Sequence, residues 1–220
     1  MLPLEQSPDT LCILRLSALG DAVHVVPVIR AIQDQWPRTR ITWIIGKLEH
    51  RLLSGLDDIE FIEFDKRGGW SAIRGLRRQL RDRRFDVLLH MQVAARANLL
   101  SKFIRAPVRL GWDTARCRDL HQHFVREQIR SVPFQHQVQG FLEFARALGI
   151  DVQTPVWNLP IEDEARAWAQ HHIQAGSPTL LISPCSSHAG RNWNPESYAA
   201  VADLSLIHIS EPTRQVLVSR

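Results

Sequence analysis

The sequence predicts an α/β protein built on a parallel sheet. Two observations carry that expectation: short apolar runs of strand length alternate with stretches of helical spacing, and several runs end in turns rich in Gly, Ser or Asp. Of 220 residues, 45% are hydrophobic and 23% charged, which excludes a disordered chain. No apolar run reaches the ~18 residues of a membrane span. Residues 1–10 lack the basic and apolar segments of a leader peptide. Cys12, Cys117 and Cys185 are scattered, with no CxxC and no disulfide framework, so a cytoplasmic location is expected.

Taken in order, residues 11–16 read as a buried strand that runs into the turn Ser17-Ala18-Leu19-Gly20. Val23, Val26, Ile29 and Ile32 then keep helical spacing as far as Trp36-Pro37. Pro27 interrupts this stretch. An interior proline costs ~3 kcal/mol, so a kink, or a helix that begins properly at Pro27, is expected. Residues 40–45 give a second strand, 47–53 a short helix and 59–64 a third strand. Trp70, Ile73, Leu76 and Leu80 mark one helical face, with Arg74, Arg77, Arg78 and Arg81 on the other. Residues 85–90 and 108–112 are the fourth and fifth strands, separated by a helix over 94–104. Polar, basic residues 117–133 read as a surface loop, and 137–148 as a helix capped by Gly149. After an extended crossing at 151–160 come a helix (162–174), a strand (179–183), a loop (186–193) and a helix opening at 195. That is the start of a second α/β unit, and residues 205–220 do not continue its pattern.

Ligands of parallel sheets bind at the carboxyl ends of the strands, which places residues 17–21, 65–69, 91–96 and 113–116 on one rim. The formal charge is +4, and eight bases between 66 and 84 (Lys66, Arg67, Arg74, Arg77, Arg78, Arg81, Arg83, Arg84) face one acid, Asp82. Such a patch attracts nucleic acid, acidic lipid headgroups, phosphosugars or an acidic sugar, although a solvated helix face is the better account of its outer arginines, and Lys66 and Arg67 at the strand end are the better ligand contacts. A non-catalytic anion-binding module using this patch is therefore one functional reading. On the rim, Gly20 lets a ligand approach the backbone, and Asp21 can serve as a general base or simply as an N-cap. Around the second loop, Ser186, Ser187 and Arg191 suit a diphosphate, while turn chemistry explains the same residues. Cys185 with His188 is a weaker nucleophile reading. There is no GxGxxG, no P-loop and no metal-ligand spacing, and His171 and His172 are adjacent on a helix, so no metal or other cofactor is expected.

Several pieces resemble one family together. Ile13-Leu-Arg-Leu-Ser-Ala-Leu-Gly-Asp-Ala-Val-His-Val-Val-Pro27 is similar to the N-terminal signature of the glycosyltransferase family 9 heptosyltransferases, Pro27 included. Asp113-Thr-Ala-Arg116, Gln135-His-Gln137, and Ser186-Ser187 with Arg191-Asn-Trp193 resemble family segments in the same order. The resemblance covers residues 11–203. It implies a two-domain B-type glycosyltransferase fold with Rossmann-like halves, of which residues 1–155 would be the acceptor-binding domain. Residues 156–204 would be the linker and the beginning of the nucleotide-sugar domain, and 205–220 a non-family tail of artefactual origin.

The activity implied is inverting transfer of heptose from ADP-heptose to a Kdo or heptose of the lipopolysaccharide inner core. Asp21 would be the base, Gly20, Lys66, Arg67 and Arg116 acceptor-binding, and Ser186, Ser187 and Arg191 donor-phosphate-binding. The last position is commonly Lys in the family. The partners implied are ADP-heptose and a lipid A-Kdo or heptosylated acceptor, with no nucleic acid, at the cytoplasmic face of the inner membrane. The family's later donor motif, a glycine-rich turn with Asp and a following His, has no counterpart, so an inactive fragment is expected.

Overall fold

Strand β1 (Thr10–Leu14) is apolar without alternation because both its faces are covered: Leu11 and Ile13 enter one core, Cys12 and Leu14 a second. In the computed structural model, which describes residues 2–173, 176, 179–184, 190, 192–208 and 215–218, β1 lies at the middle of a parallel sheet. β2 (Arg40–Gly46) and β4 (Val87–His90) flank it. β3 (Ile59–Phe64) lies outside β2, while β5 (Val108–Gly111) and β6 (Glu127–Gln128) extend the other side. The order is therefore β3-β2-β1-β4-β5-β6. β3 is an edge strand whose two acids, Glu60 and Glu63, are exposed on opposite faces, while Ile62 and Phe64 are buried in the second core. Glu60 accepts from Thr42 at 3.0 Å and pairs with Arg83 at 2.6 Å.

Helices α1 (Leu19–Gln35) and α5 (Gln137–Leu148) contribute Ala22, Val25, Ile29, Phe141 and Phe144 to the first core. On the opposite face α3 (Gly69–Leu80) and α4 (Ala95–Ser101) contribute Leu76, Leu80, Ala97 and Leu100 to the second. The short α2 (Lys47–Leu53) connects β2 to β3. Gly149 closes α5 at φ 100°, as a glycine C-cap should.

α1 runs from Leu19 through Pro27 to Gln35, so the helix does not begin at the proline. Proline has no N–H for the carbonyl of Val23. That carbonyl instead accepts from the indole Nε1 of Trp157 at 3.1 Å, which satisfies the freed group and docks the crossing segment.

Residues 117–133 are not a free surface loop. They contain a 3₁₀ turn (His121–His123) and the two-residue β6, and His121 is wholly buried. Asn98 on α4 donates to the Asp119 carbonyl at 2.8 Å, and the Asp119 carboxylate accepts from the Ala95 amide at 2.9 Å. The His121 Nε2 accepts from the Trp112 amide at 3.2 Å, which leaves Nδ1–H to donate to Asn98 at 2.9 Å. Polarity concealed this segment because, apart from Val125 and Ile129, what it buries is hydrogen-bonded polar groups.

The His121 ring lies 4.4 Å from that of His90, which is also wholly buried. Burial lowers the His121 pKa to about 4. It pushes His90 well below its ordinary value too, with the neighbouring His121 and Arg109 acting in the same direction. In the unfolded chain both recover the usual value near 6.5, so the unfolded state binds more protons below that pH. Their contribution to stability is therefore full above pH ~6.5 and is lost as pH falls toward ~4, by up to ~2 kcal/mol for His121. Urea midpoints measured between pH 7.5 and 5 should fall, and His121→Gln should flatten the slope.

The chain divides into two units, Met1–Pro160 and Ile161–Arg220, and the remaining described residues belong to the second. It comprises α6 (Asp163–His172), β7 (Thr179–Ile182), α7 (Pro195–His208) and β8 (Gln215–Val218), with β7 and β8 paired in parallel. α7 continues to His208, past Asp203 where the sequence pattern breaks.

Candidate active site

The strand order reverses between β1 and β4, and the crevice outside their carboxyl ends is where a doubly wound sheet receives ligands. Arg15, one residue beyond β1, is 9% exposed and holds this corner together. Its Nη1 donates to the Met91 carbonyl at 2.5 Å, its Nη2 pairs with the Asp21 carboxylate, and the guanidinium lies 5.4 Å from the Phe141 ring centre. Burial pushes the Arg15 pKa down from its ordinary value, and the charge of Asp21 opposes that shift. Gln92 ties the two strand ends together, accepting from the Leu16 amide at 2.7 Å and donating to Ser17 Oγ at 3.3 Å.

Asp21 is the third residue of α1, not its N-cap; Ala18 occupies the cap. A carboxylate at this position sits against the positive end of the helix dipole. Its Oδ2 takes the Arg15 pairing and a long contact from the Ala18 amide at 3.5 Å. Among the described residues, Oδ1 accepts no hydrogen bond, so one carboxylate oxygen is anchored and the other is available. The Asp21 side chain is about one-third exposed, which gives a substrate access to it. At Gly20, apart from its own turn of helix, nothing lies within 4 Å of the place a Cβ would take.

Lys66 reaches the same corner from the end of β3, donating to the Leu16 carbonyl at 3.3 Å. Its charge is met by Glu49, a buried carboxylate, at 3.0 Å. Gly46 permits this approach, since a Cβ there would stand 2.2 Å from the Leu16 oxygen and 2.3 Å from Glu49 Oε2. Arg67 is exposed, and its amide donates to Asp65 at 2.8 Å. Arg116, beyond β5, pairs through Nε with buried Asp113 at 2.9 Å and stacks 5.1 Å from the Trp112 ring. Its Nη1 lies against Gly140 of α5, where a Cβ would come within 2.3 Å. Gly20, Asp21 and Lys66 thus gather on residues 15–21, while Arg116 stands along α5, whose Phe141 also contacts Arg15. Ser186, Ser187, Arg191, Cys185 and His188 lie outside the described residues. Among the described residues no group of three His, Cys, Asp or Glu could hold a metal.

Sequence reading missed Arg15, Glu49 and Gln92. Arg15 left a signal: it is the one charge in the run Leu11-Cys-Ile-Leu-Arg-Leu16, and a charge leaving a buried strand needs a partner.

Residues 73–208 match the model of glycosyltransferase family 9 (heptosyltransferase), which is more than half of the chain. The chain belongs to glycosyltransferase family 9. This family 9 chain is 41% identical over 203 residues to the lipopolysaccharide core heptosyltransferase OpsX of Haemophilus influenzae, an alignment that takes 92% of the chain and 58% of OpsX. It therefore spans little more than half the length of that relative. Among solved structures, the family 9 glycosyltransferase of Veillonella parvula aligns with a TM-score of 0.75 at 21% identity, covering 92% of the chain and 61% of that protein. Escherichia coli heptosyltransferase WaaC, solved with ADP, aligns with a TM-score of 0.68 at 20% identity, over 89% and 62%. These likenesses bear out the fold: a Rossmann-like α/β half of a B-type glycosyltransferase, followed by part of a second.

Proposed function

We propose that this chain is the acceptor-binding part of an enzyme that moves heptose from ADP-heptose onto a Kdo or heptose of the lipopolysaccharide inner core, at the cytoplasmic face of the inner membrane. The observation that carries the reading is the Arg15–Asp21 pair at the crevice between β1 and β4, in a segment that resembles the N-terminal signature of the family. Arg15 fixes Oδ2 and leaves Oδ1 to take the proton of the acceptor hydroxyl. The hydroxyl oxygen attacks the anomeric carbon from the face opposite the ADP oxygen; the new glycosidic bond forms as the bond to ADP breaks, and the configuration inverts. One base suffices because ADP leaves as a stabilised anion.

Arg67 and Arg116 are assigned to acidic groups of the acceptor. Lys66, neutralised by Glu49, is assigned chiefly to shaping the rim. Ser186, Ser187 and Arg191 are assigned to the donor diphosphate. No helix among the described residues is long and apolar enough to cross a membrane.

The test is ADP release from ADP-heptose with a Kdo-bearing acceptor, in the full-length protein carrying this sequence. Acceptor-dependent release is expected; none, with a folded protein, overturns the reading. The 220-residue chain alone should bind acceptor without turnover. Gly20→Ala separates site from fold. Alanine is the better helix former by up to ~1 kcal/mol, and nothing in the protein obstructs its methyl, so the melting temperature should hold or rise. Acceptor affinity, read by calorimetry, should fall roughly ten- to a hundredfold as the methyl meets the sugar.

A further inference from the structure

We propose that the groove between α3 and the segment after α4 is a docking surface for the phosphorylated headgroups of an anionic lipid bilayer. The groove encloses about 690 Å³ and is lined by six cations: Arg74, Arg77, Arg78, Arg81, Lys102 and Arg105. All six are exposed, and among the described residues none has an ion-pair partner, although Asp82 lies beside Arg81 in sequence. A solvated helix face would be expected to pair some of its charges with nearby acids; here the bases converge on a cavity from two elements. The apolar part of its lining is Leu80 and Phe103, the latter 5.9 Å from the Arg77 guanidinium. Phe124 carries Lys102 at 5.2 Å.

Trp70 does not share the buried face of Ile73, Leu76 and Leu80 as its sequence position suggests: it is 75% exposed and leads, at helical spacing, to Arg74, Arg77 and Arg81, the residue that caps α3. An aromatic ring in line with unpaired bases is the chemistry of a bilayer interface: the ring suits the headgroup boundary and the bases suit phosphates. Base stacking along a nucleic acid strand would need interleaved aromatics, and the run 66–84 has one, Trp70. α3 begins at the rim and runs about 18 Å along the sheet, so a bilayer lying against this stripe keeps the crevice beside the surface. The choice of a bilayer rests on the proposed lipid-anchored acceptor.

The experiment is co-sedimentation of the 220-residue chain with vesicles of phosphatidylcholine alone and of phosphatidylcholine with about a third phosphatidylglycerol, at about 0.1 M salt. Neither contains acceptor or donor, so the result is independent of sugar transfer. Binding is expected to the anionic vesicles only. The triple variant Arg74→Gln/Arg77→Gln/Arg81→Gln should lose on the order of 100-fold in affinity. Arg38→Gln/Arg51→Gln/Arg130→Gln, which removes the same charge elsewhere, should lose little. If the first triple does not fold by circular dichroism, Lys102→Gln/Arg105→Gln on the other wall should give a smaller loss of the same kind. Equal losses in both triples would reduce the effect to net charge and overturn the proposal. Displacement by millimolar inorganic phosphate at constant ionic strength, or tighter binding to a single-stranded RNA, would overturn it in favour of those ligands.

Discussion

Asp21→Asn in the full-length protein is expected to lower heptose transfer by about 10²–10⁴-fold, the range for loss of a positioned general base. The substitution keeps the shape of the side chain and an oxygen for Arg15, so the corner built by Arg15, Met91 and Gln92 should persist. What it removes is the ability of the second carboxylate oxygen to accept a proton. The loss should therefore fall in kcat, with KM for ADP-heptose little changed and the melting temperature close to that of the parent. Steady-state ADP release reads the first two and calorimetry the third. A rate within a few-fold of the parent would return Asp21 to a purely structural part in the first turn of α1.

Gly46→Ala should be the most damaging single methyl in the sheet. The added carbon would stand 2.2 Å from the Leu16 carbonyl oxygen and 2.3 Å from Glu49 Oε2. Neither yields cheaply: the first is backbone leaving the central strand, the second a buried carboxylate held by Lys66. A destabilisation of about 3 kcal/mol is expected, at the upper end for overpacking and comparable to breaking a buried ion pair. Chemical denaturation should show it as a lowered midpoint with an unchanged slope. A lowered slope would mean that the native state had loosened around β2 instead. Glu49→Gln should recover little, because the backbone contact remains.

The sheet was legible because its strands are of two kinds with different signatures. β1 and β2 are covered on both faces and read as unbroken apolar runs, while β3, at the edge, is interrupted by the exposed Glu60 and Glu63. Glycine marked the end of α5, and the Gly20-Asp21 turn marked the rim. The misses share one cause, which is that they depend on partners distant in sequence. Glu49 and Lys66 meet only once β2 and β3 are side by side, and the packing of His121 requires α4 and the end of β5. Two-residue β6 is too short for any periodicity. Pro27 was legible as an obstacle but not as a solution, since the indole that resolves it lies far along the chain.

That solution makes positions 27 and 157 dependent on each other. With proline at 27, the Val23 carbonyl needs the Trp157 indole; with a residue that has an N–H, the helix claims the carbonyl for itself. Trp157→Phe should therefore be costly in the present background and milder beside Pro27→Ala, a coupling of about 1 kcal/mol in a double-mutant cycle. Substitution at one site changes which residues the other can accept. Lineages that lost the proline would be free to lose the tryptophan, and those that kept it would remain committed to both.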